Sequence, residues 1–250
     1  MRRFFVPPEL SRGDAFELPE REARHAAQVL RLTAGDELTA LNGAGDILRC
    51  VVESATKRAV RVAVVERQYR PPLPCSITLI QAVPKGPAFE TIVQKATELG
   101  VTRIIPLLSE RVVAHISEKD FAAKVEKWTQ IAVESIKQCG SPWLPVIDPP
   151  RRFDQLTQQP PAVDLAFVCS LQETHRTLRE AAADYQATAK HLPRTAAIWI
   201  GPEGDFTPAE YEAIAQLGAV PITLGPLVLR ADTAAIAVLA IANHELQPRS

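Results

Sequence analysis

Paired cysteines are missing from this chain. Its four thiols, Cys50, Cys75, Cys139 and Cys169, are scattered without a Cys-x-x-Cys pair, which points to reduced, mostly buried side chains of a cytoplasmic protein. The five histidines stand far apart and form no His-Glu-x-x-His, so no metal site is expected. No apolar run approaches ~20 residues, which excludes a membrane-spanning helix. The opening M-R-R-F-F-V-P-P-E meets an acidic residue and two prolines too early for a signal peptide. Charge of one sign is lacking as well: 28 Lys and Arg against 29 Asp and Glu leave a net charge of −1. No global basic field therefore announces nucleic acid, although a local basic face can coexist with a neutral total. Low-complexity tracts and internal repeats are absent. So are G-x-G-x-x-G and Gly-Lys-Ser/Thr, which disfavours a dinucleotide or a nucleoside triphosphate as ligand.

What is present is ample apolar material, 46% of 250 residues, enough for one large domain or two modest ones. The clearest boundary is Tyr69-Arg70-Pro71-Pro72-Leu73-Pro74, where three prolines in four residues break any helix or central strand. It divides the chain into residues 1–70 and 74–250. The first part reads as short strands at 3–6, 37–41, 47–53 and 59–66, interrupted by one helix at 20–30 and punctuated by Gly-Asp and Asn-Gly turns. Such a unit suggests a small β-barrel of a kind that often binds RNA, with 12 Lys and Arg against 10 Asp and Glu in mild support.

The second part alternates strands with helices. Strands are expected at 76–83, 103–107, 162–169, 196–200 and 220–224. Helices are expected at 89–99, 120–139, 175–183, 208–217 and 233–246. That alternation predicts a mainly parallel sheet covered by helices on both faces. Two of the strands, 196–200 and 220–224, run into Gly-Pro loops, and ligands of open α/β sheets sit beyond the carboxyl ends of strands. One pocket with two walls follows. In the first loop, Gly201-Pro202-Glu203-Gly204 is a tight turn, and Thr207-Pro208-Ala209-Glu210 is a capping box with proline at the first helical position. A plain strand–turn–helix corner would account for that segment equally well. The second loop, Leu224-Gly225-Pro226-Leu227-Val228-Leu229-Arg230-Ala231-Asp232-Thr233, reads as too apolar for an exposed connection. A buried loop hands its backbone polar groups to a ligand, and Arg230 and Asp232 are the polar side chains left near the reacting end.

These loops resemble those of the RsmE-type family of SPOUT methyltransferases, and the likeness continues along nearly the whole chain. Gln94-Lys95-Ala96-Thr97-Glu98-Leu99-Gly100-Val101, Ser109-Glu110-Arg111, the helix positions Trp128, Ile131, Glu134 and Gln138, and His25 with Val29-Leu30-Arg31 and Gly35-Asp36 are similar to the family's motifs. Arg3-Phe4-Phe5-Val6 is similar to its opening strand. The resemblance implies a PUA-like RNA-binding barrel followed by an α/β-knot domain with a deep trefoil knot. It also implies a homodimer, S-adenosylmethionine as cofactor, and methylation of uridine N3 in 16S ribosomal RNA of the small subunit. The chain departs from the family's patterns at Lys137-Gln138-Cys139-Gly140-Ser141, where an Arg is missing, and at Asp205, Leu227 and Asp232.

On this reading Ile200, Gly201, Pro202, Glu203, Gly204, Leu224, Gly225, Pro226, Leu229, Thr233 and Ala234 hold the cofactor. Arg230 stabilises a developing uracil anion, and Asp232 orients it or accepts its proton. The structural alternatives are an intersubunit salt bridge for Arg230, a helix cap at Thr233 for Asp232, and an anchor of the turn for Glu203. Arg2, Arg3, Arg24, His25, Arg31, Lys85 and Arg111 are the expected RNA contacts, with Lys95 also near the sheet edge. Two other functions compete. One is a non-catalytic RNA-binding or ribosome-assembly factor with a decayed transferase domain; the other is an unrelated α/β enzyme acting on a small nucleotide.

Overall fold

A computed structural model of the chain describes residues 2–112, 117–171 and 176–247. His175, expected to open a helix, and residues 1 and 248–250 of the two expected spans lie outside the described residues. The chain divides into two compact units: 1–72 together with 133–144, and 73–132 together with 145–250.

The first unit is built on β1 (Arg3–Phe5), β2 (Ala15–Glu17), β3 (Glu37–Leu41), β4 (Asp46–Ala55) and β5 (Val60–Tyr69), in the order β1-β3-β4-β5-β2. Every pairing is antiparallel except β1 with β3. Period-2 alternation puts Leu48, Cys50 and Val52 of β4 and Val60 and Val62 of β5 into one core with Phe4, Phe16 and Leu38. The short edge strand β2 was not anticipated, since three residues carry no readable period. Helix α1 (Glu20–Arg24) widens into a π-type turn over His25–Val29.

Residues 133–144 join this unit through specific bonds. Arg3 donates to the carbonyls of Lys137 (3.1 Å) and Gln138 (2.7 Å), capping the carboxyl end of α3 (Phe121–Cys139). Gly140 follows with φ +82°, and a Cβ there would lie 2.9 Å from the Arg3 guanidinium. Ser141, where the family pattern has an arginine, closes a local turn by accepting from the Trp143 amide at 3.2 Å. The Trp143 indole donates to the Arg70 carbonyl at 3.0 Å and stands edge-on to Tyr69.

Asp36 ties the start of the unit to its first turn. It accepts from the Thr33 amide at 2.8 Å and from Arg2 at 2.7 Å. The Thr33 amide and then the Arg2 guanidinium hold its carboxyl down at about 2. A carboxyl depressed on folding stabilises the fold above its unfolded value, near 3.8, and loses that contribution as pH falls through about 2. Asp36→Asn is therefore expected to lower stability at pH 7. In urea unfolding at stepped pH, the gap from the parent protein should narrow between about pH 4 and 2.

The second unit carries seven strands, all paired in parallel. They are β6 (Ser76–Ala82), β7 (Arg103–Leu108), β8 (Val146–Ile147), β9 (Arg151–Arg152), β10 (Leu165–Cys169), β11 (Thr195–Ile200) and β12 (Val220–Ile222). The order is β12-β10-β11-β6-β7-β8, with β9 also on β7. Pro221 sits on the edge strand β12, where a missing amide is tolerated. Ile80, Ala197 and Trp199 pack on Leu156 of α4 (Phe153–Gln158) and Ile214 of α6 (Pro208–Gln216). A second helical layer joins α2 (Ala88–Glu98), α5 (Leu178–Ala189) and α7 (Ala231–Leu246), with α7 also on β11. The Trp128 side chain on α3 is buried against Phe89, ring centroids 4.4 Å apart. Among the described residues, no helix is long and apolar enough to cross a membrane.

Candidate active site

The carboxyl ends of three strands converge on a cavity of about 270 Å³. The order of the sheet explains the third. Strand β10 pairs with both β11 and β12, so the two Gly-Pro strands straddle it rather than touch. The expected two walls are joined by Cys169, Ser170 and Leu171. Their only sequence signal was the end of a strand at 169, which the rule for ligands in open sheets also covers. Ile200, Gly201, Pro202 and Glu203 line the first wall; Leu224, Gly225, Leu229, Arg230 and Ala234 line the second. Gly204, Pro226, Asp232 and Thr233 are not among the lining residues.

The first loop is held from outside. Glu203 accepts from the Lys85 amide at 2.9 Å, and Arg111 donates to the Gly204 carbonyl at 2.8 Å. Below it the capping box is complete: the Thr207 hydroxyl accepts from the Glu210 amide, and Glu210 accepts from the Thr207 amide at 2.9 Å. The second oxygen of buried Glu210 accepts from the Glu110 amide at 2.9 Å. Asp205 has φ +61°, unusual for a residue with a side chain. Its Oδ1 accepts from the Phe206 amide at 2.8 Å and from the Tyr211 hydroxyl at 2.7 Å. Burial, more than any neighbour, pushes the Tyr211 phenol far above its usual range, so it remains a donor.

The second loop corrects an expectation. Leu227 and Val228 are 75% and 77% exposed, so this connection is not buried within the chain. Strand β12 ends at Ile222, two residues early, and the loop runs along the surface from there. The amides of Leu227, Val228 and Leu229 have no protein acceptor among the described residues. These free donors and carbonyls stand beside the apolar side chains of Leu224 and Leu229. Helix α7 starts at Ala231, two residues before the expected 233, with Arg230 at the N-cap position. Exposed Arg230 has no side-chain partner among the described residues, leaving a free cation on the cavity. Asp232 instead lies in the first turn of α7 and accepts from the Thr233 amide at 3.0 Å. A negative charge there suits the helix dipole.

The expected RNA contacts fare unevenly. Arg3 is committed to the end of α3 and Arg111 to the first loop. Arg2 pairs with Asp36, Arg24 with Glu20, and Lys95 with Glu98. Arg31 is exposed, at φ +52°, with no partner among the described residues. His25 is exposed and edge-on to Phe4 at 6.1 Å. Burial pushes the thiols of Cys50 and Cys75 up to about 11, and that of Cys169 higher still. None is poised as a thiolate nucleophile.

A family model described as an RNA methyltransferase domain matches residues 71–243, and one described as an RNA methyltransferase PUA domain matches residues 18–65. Along 99% of its length the chain is 29% identical to ribosomal RNA small subunit methyltransferase E of Bacillus subtilis, covering 98% of that protein. It is 32% identical to the protein of that name from Synechocystis, over 98% of this chain and 78% of the other. A solved structure of ribosomal RNA small subunit methyltransferase E from Neisseria gonorrhoeae, bound to S-adenosyl methionine, superposes with a TM-score of 0.84. It shares 26% identity and covers 98% of this chain and 97% of its own. A Legionella pneumophila structure with bound cofactor SAM gives 0.87 at 31% identity, covering 97% and 96%.

Proposed function

This chain belongs to the RNA methyltransferase family, and from its site we propose that it methylates N3 of a uridine in 16S RNA of the small ribosomal subunit. The observation that carries the proposal is the three-walled cavity. Apolar side chains and free amides of residues 227–229 suit an adenine face and edge, while Glu203, Asp205 and Arg230 supply charged groups to the same lining. That donor set fits S-adenosylmethionine, which is cationic at sulfur and zwitterionic at its amino-acid end. Residues Ile200, Gly201, Pro202, Leu224, Gly225 and Leu229 would hold it. When bound, it supplies an electrophilic methyl group.

The protein's own contribution is positional and electrostatic. Uracil N3 carries an imide proton, and its loss leaves negative charge on the flanking carbonyl oxygens. Arg230, exposed and without a side-chain partner among the described residues, would offer that charge a forked donor. Asp232 holds the first turn of α7 and so fixes where Arg230 starts from. Glu203, which accepts from the Lys85 amide, would anchor the first loop at the cavity. Arg24, His25 and Arg31 of the PUA unit are the proposed RNA contacts, whose phosphate interactions weaken with salt and are largely blind to sequence.

Two further features belong to this reading. A second copy of the chain would cover Leu227 and Val228, the most exposed large hydrophobic side chains among the described residues. Strands β11 and β12 straddling β10, with α7 packed back on α2, support a chain threaded through its own loops. The proposed setting is the cytoplasm. The test is transfer of labelled methyl from S-adenosylmethionine to small ribosomal subunits, with the product mapped by mass spectrometry. One methyl on a uridine base is expected. Intact cofactor binding with no transfer to RNA would overturn the proposal in favour of a non-catalytic RNA-binding factor.

A further inference from the structure

Asp205 stands apart from every other residue of the cavity. Its backbone is in the left-handed region, where a side chain costs energy unless its surroundings hold it. They do hold it. Its Oδ1 takes the Phe206 amide and the Tyr211 hydroxyl, and the Ser170 hydroxyl and Leu171 amide reach the same phenol oxygen as donors. The chain of bonds therefore runs from the β10 wall, through α6, to the β11 wall. The phenol is kept protonated by burial, so it donates to the carboxylate at all ordinary pH. The second oxygen, Oδ2, has no protein partner among the described residues, and Asp205 lines the cavity. A carboxylate has been fixed in place with one oxygen left for a ligand.

Ligand and product differ in one property that such a group senses. S-adenosylmethionine carries a positive sulfonium; after methyl transfer, S-adenosylhomocysteine carries a neutral thioether of nearly the same shape. Apolar walls discriminate the two poorly, whereas a fixed negative charge in a partly desolvated cavity favours the cation. We propose that Asp205, oriented by Tyr211, is a specificity-determining residue that makes the cavity prefer the charged methyl donor to its demethylated product. The inference rests on the cavity's being the methyl-donor site and adds a role for one residue in it.

Asp205→Asn is the informative variant. Asparagine tolerates a positive φ and keeps a carbonyl oxygen for Phe206 and Tyr211, so the frame is retained while the free oxygen facing the ligand becomes an uncharged amide nitrogen. Titration calorimetry of the full chain with each compound gives two dissociation constants and their ratio. The variant is expected to weaken S-adenosylmethionine about tenfold and to leave S-adenosylhomocysteine nearly unchanged, the order expected for unit charges a few Å apart in a half-exposed site. Asp205→Gly, which relieves the backbone, should lose the preference in the same way. Equal weakening of both compounds would overturn the inference and make Asp205 a partner of the ribose or amino group they share. Unchanged constants would overturn it too. Failure of the unaltered chain to bind either compound would instead sink the methyl-donor reading itself.

Discussion

Replacing Arg230 by alanine is expected to slow methyl transfer by about 10²–10³-fold, the range seen when one donor to a developing anion is removed. The side chain is exposed and makes no bond within the chain among the described residues, so its loss should change stability by no more than about 0.5 kcal/mol. A lysine at this position keeps the charge but not the fork, and should recover only part of the rate. Measurement both below and at saturating S-adenosylmethionine separates two roles. A fall in kcat with cofactor affinity retained means that Arg230 acts on the reacting base. A rise in KM for the cofactor alone means that it holds the cofactor's carboxylate. Near-normal transfer under both conditions would remove it from the chemistry.

How far this site was legible in the sequence varies residue by residue, and the physics explains the pattern. Thr207-Pro208-Ala209-Glu210 was readable because a capping box is closed by bonds three residues apart, and the structure has both of them. The second bond of Glu210, to the Glu110 amide, spans a hundred residues and left no local trace. The wall at residues 169–171 was missed for the same reason. Which strand ends meet is decided by sheet order, and nothing in 165–169 says that this strand inserts between the other two. Strand β9 and helix α4 are too short to show a period. The apolar character of the second loop was read correctly and its burial wrongly. Hydrophobicity marks a surface that is to be covered, but does not say by what. The long helix shows a further limit. Its 3.6-residue pattern is continuous from Phe121 to Cys139, yet residues up to 132 pack in one unit and those from 133 in the other. Periodicity identifies an apolar face without naming the core it meets.

That division gives Lys137 its weight. Its side chain is 12% exposed and its ammonium lies 2.9 Å from Oε1 of Glu22, itself 7% exposed, while Oε2 of Glu22 has no hydrogen-bond partner among the described residues. The second carboxylate near Lys137, that of Glu134, is half exposed and already solvated. Removing the lysine charge therefore leaves Glu22 buried with no other ion-pair partner among the described residues to offset its desolvation. Lys137→Met, which keeps the length of the side chain, is expected to destabilise the first unit by about 3–5 kcal/mol, the usual consequence of breaking a buried pair from one side. Replacing both partners, as Lys137→Met with Glu22→Leu, should restore most of that stability, because neither charge is then left in the interior. Hydrogen exchange at the amides of β4 and β5 reads this unit directly. The single variant should exchange much faster than the parent protein and the double variant close to it. If the single variant exchanged like the parent, water would be reaching Glu22 despite its burial. Arg3, with its two carbonyl bonds, would then be the main tie between residues 133–144 and the sheet.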